Sequence, residues 1–272
     1  MLKKVIISGG GTGGHIFPAL AIANEIKARF SQVEILFVGA EGKMEMEKIP
    51  AAGYKIVGLP IVGLQRKLTL KNFLLPFKLM KSLLMAKKIL KDFRPEVVIG
   101  VGGYASGPTL KMAQRLGIPT VIQEQNSFPG KTNRILAKNV SAVCTAYEGL
   151  EKVFPADKIH FTGNPVRQEL KTLQLSKEEA FACFPELDPS KRTILVIGGS
   201  LGARTMNESV LFAAGRYAEE GVQVLWQCGK YYFEVMKNEV TKLSVSARPI
   251  VLTDFIARMD AAYTLADVIV SR

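Results

Sequence analysis

The chain has 272 residues, 48% of them hydrophobic, and its 36 lysines and arginines against 24 aspartates and glutamates give a net charge of +12. This composition excludes an intrinsically disordered chain and supplies enough apolar side chains for one large or two medium domains. The positive charge favours an acidic partner, such as nucleic acid, an anionic membrane surface or a phosphorylated substrate.

The first strand and the first helix enclose a glycine-rich turn. Residues 5–7 form an apolar run typical of a buried strand, and residues 8–15 read SGGGTGGH. Residues 17–23 then begin a helical pattern in which Pro18 suits the first helical position. Glycines let the backbone approach a ligand closely, and the amino terminus of a helix attracts anions. The stretch therefore predicts an anion site, with a plain tight turn as the alternative.

Strand and helix signals then alternate along the chain. Apolar runs of strand length occur at residues 5–7, 35–38, 54–57, 97–101, 120–122, 142–145, 159–162, 193–197, 222–227, 249–252 and 267–270. Continuous apolar runs separated by helices favour parallel sheets covered on both faces. A polar segment follows residue 163, and a second unit of strand, glycine turn and helix begins at residue 193. We therefore predict an α/β protein of two domains, residues 1–163 and residues 164–272. Because the sequence stops directly after a strand, we expect the second domain to be incomplete.

The sequence carries no signal for secretion or for crossing a membrane. Cys144, Cys183 and Cys228 lie far apart and form no paired motif, as expected in a reducing compartment. Too few apolar residues precede the first glycines for a signal peptide, and no apolar run approaches the roughly 20 residues of a spanning helix. We therefore expect a cytoplasmic protein, with attachment to a membrane surface still open.

His15 follows the first glycine turn and is one of two histidines. We expect it at the tip of the turn, facing a cleft, where an imidazole is a usable base near neutral pH. The alternative role is to order the loop by hydrogen bonding. His160 falls in a strand-like run and is expected to be structural.

The first turn also fits a dinucleotide site. Gly9, Gly11 and Gly14 match the pattern G-x-G-x-x-G, which keeps an NAD(P)-dependent oxidoreductase open as an alternative. That fingerprint expects an acid about 20 residues later, at the end of the second strand. Only Glu41 is near, so the match is poor.

Two further polar stretches follow predicted strands. Residues 100–108 read GVGGYASGP, and residues 123–126 read QEQN directly after the strand at residues 120–122. Polar clusters at the carboxyl ends of parallel strands are where α/β proteins bind ligands. Glu124 is thus a second candidate acid or base, with an ordinary solvated loop as the alternative for each stretch.

Residues 70–93 form a mixed apolar and basic stretch within a segment, residues 66–94, that holds nine basic residues and one acid. Apolar residues recur at helical spacing with lysines between them. A basic amphipathic helix binds an anionic membrane surface, whereas a crossover helix packs on a sheet, and we expect this helix to do both. Exposed apolar residues are expected among Leu74, Leu75, Phe77, Leu79 and Met80, beside Lys71, Lys78 and Lys81.

Taken together, the motifs resemble the N-acetylglucosaminyltransferases of glycosyltransferase family 28. The matching motifs are GGTGGHIFP at residues 10–18, GGYASGP at residues 102–108, EQN at residues 124–126, GNPVR at residues 163–167, GGSLGAR at residues 198–204, FI at residues 255–256 and AYTLADV at residues 262–268. They follow the family order across the whole chain, so their combination is specific although each motif alone is weak.

The resemblance implies the GT-B fold, with two Rossmann-like domains facing a cleft. It implies inverting, metal-independent transfer of N-acetylglucosamine from UDP-N-acetylglucosamine to lipid I, the undecaprenyl-diphosphate-linked N-acetylmuramyl-pentapeptide, giving lipid II. It implies no cofactor and a peripheral location at the cytoplasmic face of the bacterial plasma membrane, with cell-wall synthesis proteins as further partners. No nucleic-acid-reading motif is recognisable in the sequence.

The resemblance also assigns site residues. The implied donor contacts are Thr12, Gly13, Gly14, Asn126, Arg167, Ser200 and Ile256. On the acceptor side it implies Gly103, Tyr104 and Ser106, and the candidate bases are His15 and Glu124. Family members continue past the final arginine with a segment that completes the donor site, so the resemblance implies that these 272 residues alone are inactive or poorly active. A different GT-B enzyme acting on a lipid or a small molecule, and a non-catalytic basic module, are the remaining alternatives.

Overall fold

A computed structural model describes residues 2–61, 75–166, 175–199, 201–243 and 249–271. The chain divides into two compact units, Met1–Arg167 and Gln168–Arg272. We call them unit 1 and unit 2. Each is an α/β unit built on a parallel sheet, as predicted from the alternation of apolar runs and helical patterns.

Unit 1 holds a sheet of seven strands with helices between them. The strands are β1 (Lys4–Gly9), β2 (Glu34–Ala40), β3 (Lys55–Leu59), β4 (Val97–Gly102), β5 (Thr120–Glu124), β6 (Ala142–Thr145) and β7 (Ile159–Phe161). The helices are α1 (Gly13–Arg29), α2 (Glu45–Ala51), α3 (Leu75–Phe93), α4 (Ser106–Arg115) and α5 (Lys131–Leu136), with single 3₁₀ turns at Ala137–Asn139 and Ala156–Lys158.

The strand order of unit 1 places the first strand in the middle of the sheet. The order is β3-β2-β1-β4-β5-β6-β7, and every pairing is parallel. Val5, Ile6 and Ile7 of β1 are fully buried because apolar clusters cover both faces of the sheet. From β1 the chain winds outward through β2 and β3, and from β4 it winds the other way. The carboxyl ends of β1 and β4 therefore flank a switch point, where open α/β sheets bind ligands.

Unit 2 repeats the pattern on a smaller scale. Its strands are β8 (Thr193–Ile197), β9 (Gln223–Gln227), β10 (Ile250–Thr253) and β11 (Val268–Ser271), paired in parallel in the order β10-β9-β8-β11. Its described helices are α6 (Lys177–Ala182), α7 (Arg204–Phe212), α8 (Ala214–Glu219), α9 (Phe233–Lys242) and α10 (Met259–Leu265). Trp226 at the centre of β9 is fully buried.

The predicted strands are confirmed, each within two residues at either end. Near the site, the start of helix α1 and the end of strand β5 differ from the prediction. Helix α1 begins at Gly13, so Pro18 lies inside the helix as its sixth residue instead of at its start. Thr12, in extended conformation, is the residue that precedes the helix, and the two glycines after it adopt helical geometry. Strand β5 runs on through Gln123 and Glu124, which are buried in the sheet. The apolar run at residues 120–122 gave no signal for that extension, because both added residues are polar.

Candidate active site

The first glycine turn and the turn after β4 are packed directly against each other. Gly10 and Gly103 have positive φ angles of 147° and 87°, in the region that favours glycine. A Cβ atom on Gly103 would also collide with the backbone of Gly10. Gly102, at the end of β4, has a φ angle of 96° as well. Glycine at position 103 is therefore required by the close approach of the two backbones at the switch point.

His15 lies against both turns. It occupies the first turn of α1 rather than the tip of the glycine turn, because the helix begins two residues before it. Its Nδ1 atom is 2.9 Å from the carbonyl oxygen of Gly10. A carbonyl oxygen only accepts hydrogen bonds, so Nδ1 carries the proton, and in the neutral ring Nε2 is the acceptor. Nε2 lies over Gly102, where an added Cβ would come within 2.8 Å of it. The ring is half-buried and its orientation is fixed.

The amino end of α1 offers two backbone donors. Thr12 and Gly14 are exposed, whereas Gly13 is buried. The carbonyl oxygen of Thr12 accepts from the N–H groups of His15 and Ile16, both at 3.1 Å. Within the described parts of the chain, no acceptor pairs with the N–H groups of Gly13 and Gly14. Unpaired N–H groups and the positive end of the helix dipole make this position suitable for an anion.

Glu124 is a buried carboxylate whose two oxygens are fully engaged. Its side chain is 1% exposed. One oxygen accepts from the backbone N–H and the side-chain amide of Asn126, at 3.0 and 3.1 Å. The other accepts from the backbone N–H of Gly130 at 3.1 Å and the side-chain amide of Asn133 at 2.9 Å. Four donors on one carboxylate hold the loop after β5 in place and orient Asn126, and they leave Glu124 poorly placed to take a proton from a substrate.

The acceptor-side residues differ in how accessible their side chains are to a ligand. Tyr104 is 48% exposed. Ser106, in contrast, is fully buried, and its hydroxyl donates to the carbonyl oxygen of Ser8 at 2.6 Å. Ser106 therefore ties α4 to the end of β1 and does not present its hydroxyl to solvent. Gly103 contributes the close backbone approach described above.

Glu45 is a functional candidate that the sequence did not indicate. It is the first residue of α2, is 1% exposed, and lies beneath the first glycine turn. Its carboxylate accepts from the backbone N–H of Gly11 at 2.7 Å and from that of Ala40 at 3.0 Å. In the sequence it sits in a polar, charged stretch, KMEMEK, that is typical of a solvated helix. Only the folded chain brings it to the end of β1.

The structure describes only some of the residues implied as donor contacts. Arg167 and Ser200 lie outside the described residues. Ile256 is buried at 2% exposure, and its N–H donates to the side-chain oxygen of Gln227 at 2.8 Å. The amide of Gln227 donates in turn to the carbonyl oxygen of Gly199, at 3.1 Å. Gln227, at the end of β9, thus joins the second glycine turn to the segment around Ile256.

The outer face of α3 is apolar and basic, as predicted. Phe77, Met80 and Leu84 recur at helical spacing and are 75%, 58% and 62% exposed. Leu79 is exposed as well, and Lys78 and Lys81 flank these residues. The opposite face, with Ala86 and Leu90, packs into the core. Leu74 and the side chain of Leu75 lie outside the described residues. No helix in the described ranges is long and apolar enough to cross a membrane.

Two family models match the chain. The glycosyltransferase family 28 N-terminal domain matches residues 5–145, and the glycosyltransferase family 28 C-terminal domain matches residues 193–272. Together they span most of both units.

Curated relatives are similar over nearly the whole chain. A protein of Parabacteroides distasonis is 55% identical over 269 residues, which are 99% of this chain and 72% of the relative. A protein of Phocaeicola vulgatus is 56% identical over 270 residues, or 99% of this chain and 71% of the relative. Both are named UDP-N-acetylglucosamine–N-acetylmuramyl-(pentapeptide) pyrophosphoryl-undecaprenol N-acetylglucosamine transferase.

Solved structures share the fold. The crystal structure of Acinetobacter baumannii MurG aligns with a TM-score of 0.69 at 28% identity, covering 99% of this chain and 73% of that one. UDP-GlcNAc 2-epimerase from Neisseria meningitidis, bound to UDP-GlcNAc, aligns with a TM-score of 0.65 at 16% identity, covering 98% of this chain and 77% of that one. At that identity the second likeness concerns the fold alone.

Proposed function

Because the chain belongs to glycosyltransferase family 28, we propose that the two packed glycine turns of unit 1, together with His15, form the part of its active site where the acceptor sugar is deprotonated. The chain is an N-acetylglucosaminyltransferase of GT-B fold. It transfers N-acetylglucosamine from UDP-N-acetylglucosamine to lipid I and so makes lipid II. This family assignment replaces the dinucleotide-dependent oxidoreductase that the first glycine turn had left open.

His15 is the proposed general base. The observation that carries this assignment is the 2.9 Å contact between Nδ1 and the Gly10 carbonyl oxygen, since in the neutral ring it leaves Nε2 as the acceptor. Nε2 takes the proton of the 4-hydroxyl of the muramyl sugar as that oxygen attacks the anomeric carbon of N-acetylglucosamine. The bond from the anomeric carbon to the diphosphate breaks, UDP leaves with the bonding electrons, and the configuration inverts. The four engaged hydrogen bonds of Glu124 favour His15 over Glu124 for this step.

Backbone amides at the start of α1 are proposed to bind phosphate. The N–H groups of Gly13 and Gly14 and the exposed hydroxyl residue Thr12 lie at the same end of the sheet as His15. Negative charge on a substrate diphosphate is stabilised there by aligned N–H groups, without a metal ion. Donor contacts are proposed at Asn126, Arg167, Ser200 and Ile256, of which the oriented amide of Asn126 has the clearest support.

The outer face of α3 is proposed as the membrane contact. Exposed Phe77, Met80 and Leu84 supply apolar area, and Lys78 and Lys81 supply positive charge for anionic lipid. The acceptor carries an undecaprenyl chain, so a protein that uses it works at a bilayer surface. We accordingly propose peripheral binding at the cytoplasmic face of the bacterial plasma membrane.

The proposed function is tested on the full-length protein with a lipid I analogue and radiolabelled UDP-N-acetylglucosamine. We expect label to appear in a lipid II product, with no transfer to diacylglycerol and no quenching or enhancement of NADH fluorescence on titration. Transfer to diacylglycerol in place of lipid I would contradict the acceptor assignment. Full activity of a His15→Ala variant would contradict the assignment of the base.

A further inference from the structure

The peptide group between Gly10 and Gly11 is hydrogen-bonded at both ends. Its N–H, on Gly11, donates to the Glu45 carboxylate at 2.7 Å. Its carbonyl oxygen, on Gly10, accepts from Nδ1 of His15 at 2.9 Å. A carboxylate, one peptide group and an imidazole thus form a continuous chain. Hydrogen bonds in such a chain polarise one another, because charge drawn to one end of a peptide group strengthens the bond at its other end.

Glu45 is held for this contact by more than one element. Its second oxygen accepts from the N–H of Ala40 at the end of β2, at 3.0 Å. A Cβ atom on Gly39 would come within 2.6 Å of its side-chain Cγ, and a Cβ atom on Gly10 would collide with its carboxylate. The side chain is therefore enclosed between the ends of two neighbouring strands, β1 and β2. The enclosure requires glycine at position 10, since Gly10 adopts a φ angle that other residues rarely take.

Among the described residues, the Glu45 carboxylate has no cation to neutralise it. Over the residues that the structure describes, no lysine, arginine or histidine lies within ion-pair distance of Glu45. A buried carboxylate without a cation is costly unless hydrogen bonds hold it, and both of its oxygens accept from backbone N–H groups, which suits the ionised form. A carboxylate offers an acceptor oxygen to both N–H groups, whereas the amide group of glutamine would place a donor against one of them.

We propose that Glu45 is a positioning residue for His15 and acts through the Gly10–Gly11 peptide. It fixes that peptide so that the Gly10 carbonyl holds the proton on Nδ1, which keeps Nε2 free to accept the proton of the acceptor hydroxyl. When Nε2 takes the proton the ring becomes positive, and the carboxylate at the far end of the chain stabilises that charge. This inference rests on the proposed role of His15 as the base.

The tautomer of His15 tests the proposal without an activity measurement. The protein has only two histidines, so ¹⁵N-histidine labelling gives two assignable rings. At a pH where both rings are neutral, we expect His15 to be protonated on Nδ1 alone in the unmodified protein. In Glu45→Gln an amide group replaces one of the two acceptor oxygens, and we expect a mixture of tautomers at His15. The ring of His160, which is exposed on β7, should not change.

Glu47→Gln is the matched control. Glu47 lies in the same first turn of α2, is exposed, and loses the same charge on substitution. We expect it to leave the tautomer of His15 unchanged. A His15 ring protonated on Nε2 in the unmodified protein, or the same pure Nδ1 tautomer in Glu45→Gln, would overturn the proposal. If Glu45→Gln does not fold, Glu45→Asp, which keeps the charge, is measured in its place. A His15 ring protonated on Nδ1 in both the unmodified protein and Glu45→Asp supports the proposal, and a ring protonated on Nε2 in either one overturns it.

Kinetic measurements distinguish a failure of the proposed role of Glu45 from a failure of the proposed role of His15 as the base. We expect Glu45→Gln to lower kcat about 10- to 100-fold, comparable to the cost of losing a partner that orients a metal-bound histidine, with KM for UDP-N-acetylglucosamine within about twofold. An unchanged kcat would overturn the positioning role even if the tautomer shifts. If His15→Ala is fully active while Glu45→Gln alters the tautomer, the role of His15 as base fails and the contact between Glu45 and the peptide stands.

Discussion

A Cβ atom on Gly103 would lie 2.9 Å from the backbone nitrogen of Gly10, although 93 residues separate the two in the chain. The two turns can only pack as they do because Gly103 has no side chain. Pairing of β1 with β4 brings the motif at residues 102–108 beside the motif at residues 10–18, and this contact lets the two turns pack. It also fixes the Gly10 carbonyl that holds His15.

Gly103→Ala is expected to destabilise the protein and to impair activity. Its φ angle of 87° is unfavourable for alanine, and the added methyl must displace the backbone of Gly10. Together we expect a loss of about 2–4 kcal/mol in the free energy of unfolding, measured by denaturant titration. Gly117→Ala is the control, because Gly117 also has a positive φ angle, of 73°, but has no atom within 4 Å of the added methyl. Equal losses in the two variants would show that the contact between the turns contributes nothing.

His15→Ala is expected to reduce kcat by about 10²–10⁴-fold, the usual range for a general base. Its ring is only half-buried, so the unfolding transition should change little. His160→Ala, at an exposed position on β7, is the control and should keep full activity. A rise in KM with an unchanged kcat would mean that His15 positions substrate and does not take the proton.

Glu124→Gln is expected to lower the stability of the folded protein, and not to remove a group that takes part in the reaction. The new amide group would face N–H donors that now have a carboxylate oxygen, leaving buried donors unpaired at about 1–3 kcal/mol each. We expect a lower midpoint of denaturation than in Glu148→Gln, which changes an exposed glutamate in the same unit. A variant as stable as the control but without activity would instead assign Glu124 to the chemistry.

The double substitution Phe77→Ser and Leu84→Ser is expected to weaken binding to anionic vesicles. Both side chains are exposed on the outer face of α3, so the fold should tolerate the change. Sedimentation with vesicles containing phosphatidylglycerol measures the bound fraction, and high salt should lower it further because the lysines contribute. Phe212→Ser, at a 95% exposed position in unit 2, is the control. Unchanged binding by the double variant would remove the membrane role from this helix.

Ionisation of the Cys228 thiol is expected to lower the stability of the folded protein at high pH. Burial, followed by the nearby charge of Asp254, raises the pKa of its thiol to about 11 from 9.0. Between these two values the unfolded chain loses the proton and the folded protein keeps it, so the contribution of this group is complete below about pH 9 and is lost as the pH rises toward 11. We therefore expect the melting temperature of the unmodified protein to fall faster than that of Cys228→Ala over this interval. Parallel curves would show that the thiol titrates normally.

The strands and the glycine motifs were predictable because their signals are local. Apolar runs marked every strand, and positive φ angles explain the glycines of the turns. Glu45 was not predictable, since its role depends on a packing contact with Gly10 and Gly11, more than 30 residues away in the chain. The burial of Glu124 and Ser106 was missed for a related reason. A polar residue at a strand end looks the same in sequence whether it faces solvent or pairs with buried donors.

The central place of β1 has a consequence for how the chain is made. Its neighbour on one side, β2, follows closely, but its neighbour on the other side is β4, in which Val97 pairs with Val5. A ribosome adds about 5–20 residues per second, so β1 waits roughly 5–18 s between its own synthesis and that of its second partner. During that interval one edge of its hydrogen-bonding groups is unpaired. The strand that ends in the glycine turn therefore keeps an unpaired edge until β4 has been made, and chaperones have that time in which to bind it.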